Sequence, residues 1–309
     1  MQKENKKNIL KVEDLVVAFS MYGKGFRKGK LEVIHSLSID VNEGEIVAVV
    51  GSSGSGKSLL AHAVLNLLPK NARTSGTITY KGEPLDEKAC RKHLGHEISF
   101  IPQSVDYLDP LMKVDKQVIG VYGTKEKQKE MFCRYQLPEE TGSKYPFQLS
   151  GGMARRVLIS AAVMENPELI IADELTPGLN VEMAMETLKH FRELADQGTA
   201  VLMITHDIDL AFHVADRIAV FYAGTILEVA PTADFIAGKD ALRHPYSKAF
   251  IDALPQNEFT PLPGTQPYAG NLPEGCLFAD RCPNRTEECS GEIPKQIVRG
   301  GEVRCIHAT

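Results

Sequence analysis

The chain has 309 residues, 43% of them hydrophobic and 24% charged, with a formal net charge of −5 at pH 7. This is the composition of a soluble globular protein of one large domain or two, and the acidic balance gives no support to nucleic-acid binding as the main task. No apolar run approaches the ~18 residues that a bilayer-spanning helix needs. Glu13 and Asp14 interrupt any signal-like core, so the chain is expected to stay in the cytosol.

Residues 9–19 are rich in β-formers and partly alternate, predicting a strand; a second strand-like run covers 31–41. The lysines before and between them (Lys3, Lys6, Lys7, and Lys24 to Lys30) read as a solvated tail and loop. Two such runs predict an antiparallel sheet, on which Phe19 or Tyr22 stacks on a flat base or packs in the core. An apolar strand, Ile46 to Val50, then enters Gly51-Ser52-Ser53-Gly54-Ser55-Gly56-Lys57-Ser58, and a helix from Leu59 to Leu68 leaves it. This is a complete P-loop in the right context. Its glycines let the backbone curl until several N–H groups face phosphate oxygens, and the helix N-terminus adds its dipole. Lys57 faces the β- and γ-phosphates and the Ser58 hydroxyl faces Mg²⁺.

Further strands are expected at 76–80 and 97–101, the second ending at Pro102-Gln103, a neutral amide able to contact a metal ion and an attacking water. Residues 104–150 turn helical in pattern, as over 124–136, and end at Leu149-Ser150-Gly151-Gly152-Met153 before a helix over 154–165. Ser150 is a good N-cap, and the two glycines leave backbone N–H groups for an anion. The strand Leu169 to Glu174 closes on two carboxylates. Strand alternation puts Asp173 and Glu174 on opposite sides, Asp173 toward Mg²⁺ and Glu174 toward water. A strand over 200–204 ends at Thr205-His206-Asp207, setting His206 on the ligand edge of a parallel sheet. A hairpin, 217–222 with 225–229, closes this part of the chain.

In this order, the P-loop, Gln103, Leu149-Ser150-Gly151-Gly152-Met153, Asp173-Glu174 and His206 resemble the ATP-binding subunit of ABC transporters. The resemblance spans about residues 9–255. It implies an α/β P-loop NTPase fold of the ABC-ATPase kind, with an antiparallel β subdomain, a helical subdomain (about 104–167) and a small Cys-rich C-terminal extension. The ATP-binding domain is expected at 1–240 and the extension at 241–309. The implied nucleotide contacts are Phe19 and Gly51 to Leu59. Mg²⁺ falls to Ser58, Gln103 and Asp173, and catalysis to Glu174 as general base, His206 as γ-phosphate clamp, Lys57 and Gln103. Subunits of this family dimerise head to tail, so Ser150, Gly151 and Gly152 are implied to act in trans. After Glu174 the family usually has Pro-Thr-x-x-Leu-Asp, whereas here Leu175-Thr176-Pro177-Gly178-Leu179-Asn180 places Asn180 at the aspartate.

His244-Pro245-Tyr246-Ser247-Lys248-Ala249, Leu254-Pro255, Pro263-Gly264 and Leu272-Pro273-Glu274-Gly275-Cys276 with Phe278 and Arg281-Cys282-Pro283 look like the oligopeptide/dipeptide/nickel permease subfamily. The implied function is ATP-driven import of peptides, nickel or a metal chelate. The implied partners are a paralogous ATP-binding subunit, two transmembrane permease subunits and an extracytoplasmic solute-binding protein, with the chain peripheral on the cytoplasmic face of the membrane. The alternatives are a soluble, non-transport ABC ATPase and an ATP-binding subunit with weak or no hydrolysis. Cys276, Cys282, Cys289 and Cys305 crowd the tail. A reducing compartment disfavours disulfides, and zinc usually uses a short Cys-x₂₋₄-Cys pair that is missing here. A [4Fe–4S] cluster accepts looser spacing and is expected from the subfamily tail, with Zn²⁺ as the alternative.

Overall fold

The computed structural model describes residues 6–22, 28–52 and 54–309; Lys3, Lys24 and Ser53 lie outside the described residues, as do the side chains of Tyr22 and Lys28. β1 (Asn8–Tyr22) and β2 (Lys28–Asn42) form a long antiparallel ladder, and β3 (Ile46–Val50) leads through the glycine loop into α1 (Lys57–Val64). β4 (Ala72–Tyr80) and β5 (Glu83–Pro84) complete a four-stranded sheet in the order β2-β1-β4-β5. α2 (Glu87–His93) precedes β6 (Ile98–Ile101). The chain then leaves the sheet for α3 (Val114–Ile119), α4 (Lys125–Arg134) and α5 (Gly151–Val163), the expected helical insert. It returns as β7 (Leu169–Asp173), α6 (Val181–Asp196), β8 (Ala200–Thr205), α7 (Ile208–Val214), β9 (Arg217–Tyr222), β10 (Thr225–Pro231) and α8 (Thr232–Ile236). α9 (Pro245–Asp252) and the hairpin of β11 (Lys295–Val298) and β12 (Gly301–Arg304) close the chain.

The main sheet has eight strands in the order β11-β12-β10-β9-β3-β8-β7-β6. Its centre is parallel, β9 beside β3, β8, β7 and β6, which puts the carboxyl ends of those strands on one edge. β3 is apolar throughout because both faces are covered. Val47 and Val49 join the core under the antiparallel sheet, while Ile46, Ala48 and Val50 join the core under the helices.

α1 is shorter than the apolar run suggests. Asn66 adopts φ +53°, and the Leu67 N–H returns to the His62 carbonyl at 2.8 Å, a left-handed helix stop that outweighs the leucines beyond it. The tail is not an appendage: β12 pairs with β10 through Glu228 opposite Val303 and Val229 opposite Glu302. Arg243 anchors the same junction. Its buried guanidinium lies 2.7 Å from Asp234 Oδ2 and donates to Val298 O, while the Glu228 carboxylate accepts the Arg243 and His244 backbone N–H groups, both at 2.9 Å.

Candidate nucleotide site

The glycine loop is built for an anion. Gly54 and Gly56 hold φ of +74° and +102°, where a side chain would be strained, and a Cβ on Gly51 would stand 2.4 Å from the Phe221 carbonyl oxygen. Gly56 also caps α1, so the N–H groups of Lys57 and Ser58 open that helix. Ser55 is buried with its hydroxyl unpartnered. Lys57 is buried as well. Its ammonium donates to Gly51 O at 2.8 Å and Ser52 O at 2.9 Å. Burial lowers its pKa, while Glu174 and Asp173 act in the opposite direction. Leu59 is half-buried, and Phe19 sits half-buried in β1 against the core under the antiparallel sheet.

β7 ends at Asp173, and Glu174 steps out of the strand into the left-handed region with φ +59°. Strand alternation therefore does not apply to this pair, a correction to the sequence reading. Both acids are buried and both act electrostatically on Lys57 and Arg155. A left-handed, non-glycine residue at a sheet edge costs about 1–3 kcal/mol and is concentrated at functional sites. The Glu174 N–H pins the turn by donating to Ile204 O at 2.9 Å. Burial raises the Asp173 carboxyl pKa, with the Ser58 hydroxyl acting against it, and Asp173 Oδ1 has no hydrogen-bond partner. A buried, unpartnered carboxylate oxygen beside a hydroxyl is a donor set that fits a hard divalent cation.

His206 Nδ1 lies 2.6 Å from Glu174 Oε2, yet that oxygen finds no aligned hydrogen-bond donor, so the contact is one of charge and orientation. Gln103 is exposed beyond β6. Ser150 caps α5, its Oγ accepting the Met153 N–H at 3.3 Å. The two signature glycines differ: Gly151 has open space around it, whereas a Cβ on Gly152 would meet Gly178 O at 2.7 Å. Asn180 caps α6, its Oδ1 accepting the Met183 N–H at 2.8 Å.

One residue escaped the sequence reading. Arg155 on α5 is buried, and its guanidinium donates to Leu175 O at 3.1 Å, Asp173 O at 3.2 Å, Gln103 O at 3.4 Å and, closest, Pro102 O. It thereby ties the end of β6 to the end of β7. The signal was present in the chain: Arg155 shares the helical spacing of Leu158, Ile159 and Ala162, so a charge falls on an apolar stripe.

The tail gives a different result. The Cys276 N–H donates to Cys289 O at 2.8 Å, and Cys289 Sγ and Cys305 Sγ accept backbone N–H groups from Thr286 and His307. Burial raises the thiol pKa of Cys276, Cys282 and Cys305, the last to about 11, and the neighbouring tail thiols act in the same direction. Among the described residues no group of three or more His, Cys, Asp or Glu side chains is arranged to hold a metal ion. The expected four-cysteine centre, iron–sulfur or zinc, is therefore not supported.

A P-loop at the carboxyl edge of a parallel sheet, with paired acids and a histidine at the same edge, in a chain that also carries a Ser-capped Leu-Ser-Gly-Gly helix, defines an ATP-binding cassette. The ABC transporter family matches residues 34–177, and the oligopeptide/dipeptide transporter C-terminal region matches residues 227–289. The dipeptide transport ATP-binding protein DppD of Bacillus subtilis (strain 168) is 34% identical, over 94% of this chain and 91% of that protein. The oligopeptide transport ATP-binding protein OppD of Escherichia coli (strain K12) is 32% identical, over 96% of this chain and 92% of that protein. The fold is shared with the dimeric post-hydrolysis state of the ATP-binding cassette MJ0796 bound to ADP and Pi, with a TM-score of 0.63 and 23% identity over 72% of this chain and 99% of that one. The chain belongs to the ABC transporter ATP-binding proteins, in the branch that carries the oligopeptide/dipeptide C-terminal region, and is an ABC-type ATPase.

Proposed function

We propose that this subunit hydrolyses ATP to drive peptide import through a membrane complex. The observation that carries this reading is the convergence of Lys57, Asp173, Glu174 and His206 at one sheet edge in a chain with the peptide-transporter tail. Phosphate oxygens take the P-loop N–H groups and draw Lys57 Nζ from the carbonyls of Gly51 and Ser52. Ser58, Asp173 and Gln103 would hold Mg²⁺, which when bound would neutralise negative charge on the phosphates. Glu174 accepts a proton as water oxygen bonds to the γ-phosphorus and the bond to the bridging oxygen breaks. His206 orients that carboxylate and contacts the γ-phosphate. The half-buried Phe19 provides an aromatic face for the base.

Ser150, Gly151 and Gly152 act on the ATP of a paralogous partner in a head-to-tail dimer; the exposure of Ser150 and Gly151 supports this. Exposed Tyr107, Leu111 and Met112, soon after Gln103, offer an apolar surface for the two permease subunits, whose cargo arrives on an extracytoplasmic binding protein. The chain then sits peripherally at the cytoplasmic face; among the described residues no helix is long and apolar enough to cross a membrane. The ATP-binding domain occupies 1–240 and the extension 241–309. Peptide is favoured over nickel or a metal chelate by the names of the relatives, and no iron–sulfur or zinc centre enters this reading.

The test is ATP-dependent peptide uptake by vesicles holding the co-expressed complex, with nickel uptake alongside. Lys57→Ala should abolish uptake, and Glu174→Gln should lower turnover about 10²-fold or more. Nickel uptake without peptide uptake would move the cargo assignment. Asn180 favours one second reading, an ATP-binding subunit that leaves hydrolysis to its paralogue, for which Glu174→Gln would leave the rate unchanged.

A further inference from the structure

The C-terminal extension reaches the P-loop. Ser52 stands between them: its carbonyl accepts Lys57 Nζ at 2.9 Å, and its hydroxyl donates to Gln266 Oε1 at 3.2 Å. Gln266 is presented by a short strap, residues 262–266, whose path Arg281 fixes. The Arg281 guanidinium donates to Pro263 O at 2.8 Å and Leu262 O at 3.2 Å, and Gly264 turns over its side chain at φ +76°. The same guanidinium donates to the Tyr222 hydroxyl at 3.3 Å and lies 5.9 Å from that ring's centre. Tyr222 ends β9, and the neighbouring Phe221 carbonyl is the group that closes over Gly51. The contacts form a closed circuit: P-loop, β9, Arg281, strap, and P-loop again.

We propose that this strap is a nucleotide-responsive element and that Gln266 is a positioning residue for the P-loop, acting through Ser52. The proposal rests on the nucleotide reading of the site. Phosphate binding draws Lys57 from the Ser52 carbonyl, so Ser52 is freed on one side while Gln266 holds it on the other. Nucleotide occupancy and strap position are thereby coupled, and the coupling is reciprocal. A strap with this role carries the state of the ATP site into the C-terminal extension.

The experiment uses the full chain in a Glu174→Gln background, so that ATP persists, and measures Kd for ATP and ADP by displacement of a fluorescent ADP analogue. Gln266→Glu keeps an acceptor for Ser52 but sets a negative charge against Ser52, the residue whose carbonyl Lys57 contacts. ATP carries one more negative charge than ADP, so its affinity should fall about threefold to tenfold with a smaller loss for ADP, and the difference should shrink in high salt. Gln266→Ala should weaken both nucleotides by about threefold, the worth of one exposed hydrogen bond. Hydrogen exchange supplies a second readout. Amides of 260–272 should change protection when ATP binds, and Gln266→Ala should remove that change. Equal effects of Gln266→Glu on ATP and ADP, or no ATP-dependent change in the strap, would overturn the proposal. Lys57→Ala separates the two levels: if it abolishes binding while the strap variants are silent, only the strap role fails. If it leaves binding intact, the nucleotide reading itself fails and the strap role with it.

Discussion

Replacing Arg155 tests whether the site is held together from behind. The guanidinium serves four carbonyls on two loops, and burial pushes its pKa down to about 10, so it stays charged at neutral pH. Arg155→Lys keeps the charge but offers one nitrogen, which cannot span acceptors on both sides of the fork. Losing two or three of the bonds, at about 1–1.5 kcal/mol each, costs on the order of 2–4 kcal/mol. For a chain of this size that lowers Tm by roughly 5 °C or more. Arg155→Met keeps the volume and satisfies no carbonyl, so the stability order should be Arg, Lys, Met. The acceptors include the carbonyls of Gln103 and Asp173. ATP turnover by the assembled complex should therefore fall at least ~10-fold even at a temperature where every variant is folded, because small displacements of catalytic groups are costly. Thermal unfolding and steady-state phosphate release measure the two effects. A methionine variant as stable as the lysine variant would show that burying the charge costs as much as the carbonyl bonds return, and would refute the reasoning.

Three other outcomes are expected. Asp173→Asn should abolish Mg²⁺-dependent turnover yet raise thermal stability at pH 7 without nucleotide. The raised pKa of Asp173 means that the fold disfavours its charge; the stability associated with the protonated form is complete below the ordinary carboxyl range and lost as pH rises through the folded value, so the gain from Asn should vanish near pH ~4. A lower Tm for Asp173→Asn at pH 7 would contradict this. Glu228→Ala should cost about 3–5 kcal/mol in urea unfolding, because it leaves the buried Arg243 side chain and two backbone N–H groups short of an acceptor; a loss under ~1 kcal/mol would remove Arg243 as the anchor of the tail. Alkylation of the native chain at pH 7 should modify Cys133, the exposed thiol, well before Cys276 and Cys305, which burial holds protonated. Prompt reaction of the tail thiols would count against their packing.

What was legible in the chain is what local chemistry decides. β3 and the glycine loop could be read because an apolar run covered on both faces and a cradle of glycines each leave a short, continuous signature. The paired acids could be read as residues but not as geometry, since the left-handed turn at Glu174 depends on its N–H finding Ile204 O on β8, a neighbour thirty residues away in sequence. The same limit explains Arg155 and the tail. Arg155 looks like an intrusion on an apolar stripe until the carbonyls of Pro102, Gln103, Asp173 and Leu175 surround it. The four cysteines look like a ligand set by spacing alone, but spacing does not say how the side chains are arranged, and among the described residues they form no group placed to hold a metal ion.

The distribution of buried charge explains why the chemistry collects where it does. Lys57, Arg155, Asp173 and Glu174 are all buried at one end of the parallel strands, and the two carboxylates act electrostatically on both cations. Two cations and two carboxylates balance in number but not in hydrogen bonding. The cations are satisfied by carbonyls, whereas Asp173 Oδ1 and Glu174 Oε2 are left without donors. Such a group is costly to keep unless something that arrives completes it. On the function proposed above, a metal ion would complete Asp173 and a water molecule would complete Glu174. The cost of assembling the site is thus borne by the free chain and returned on binding, which is how a fold reserves stabilisation for its substrate rather than for itself.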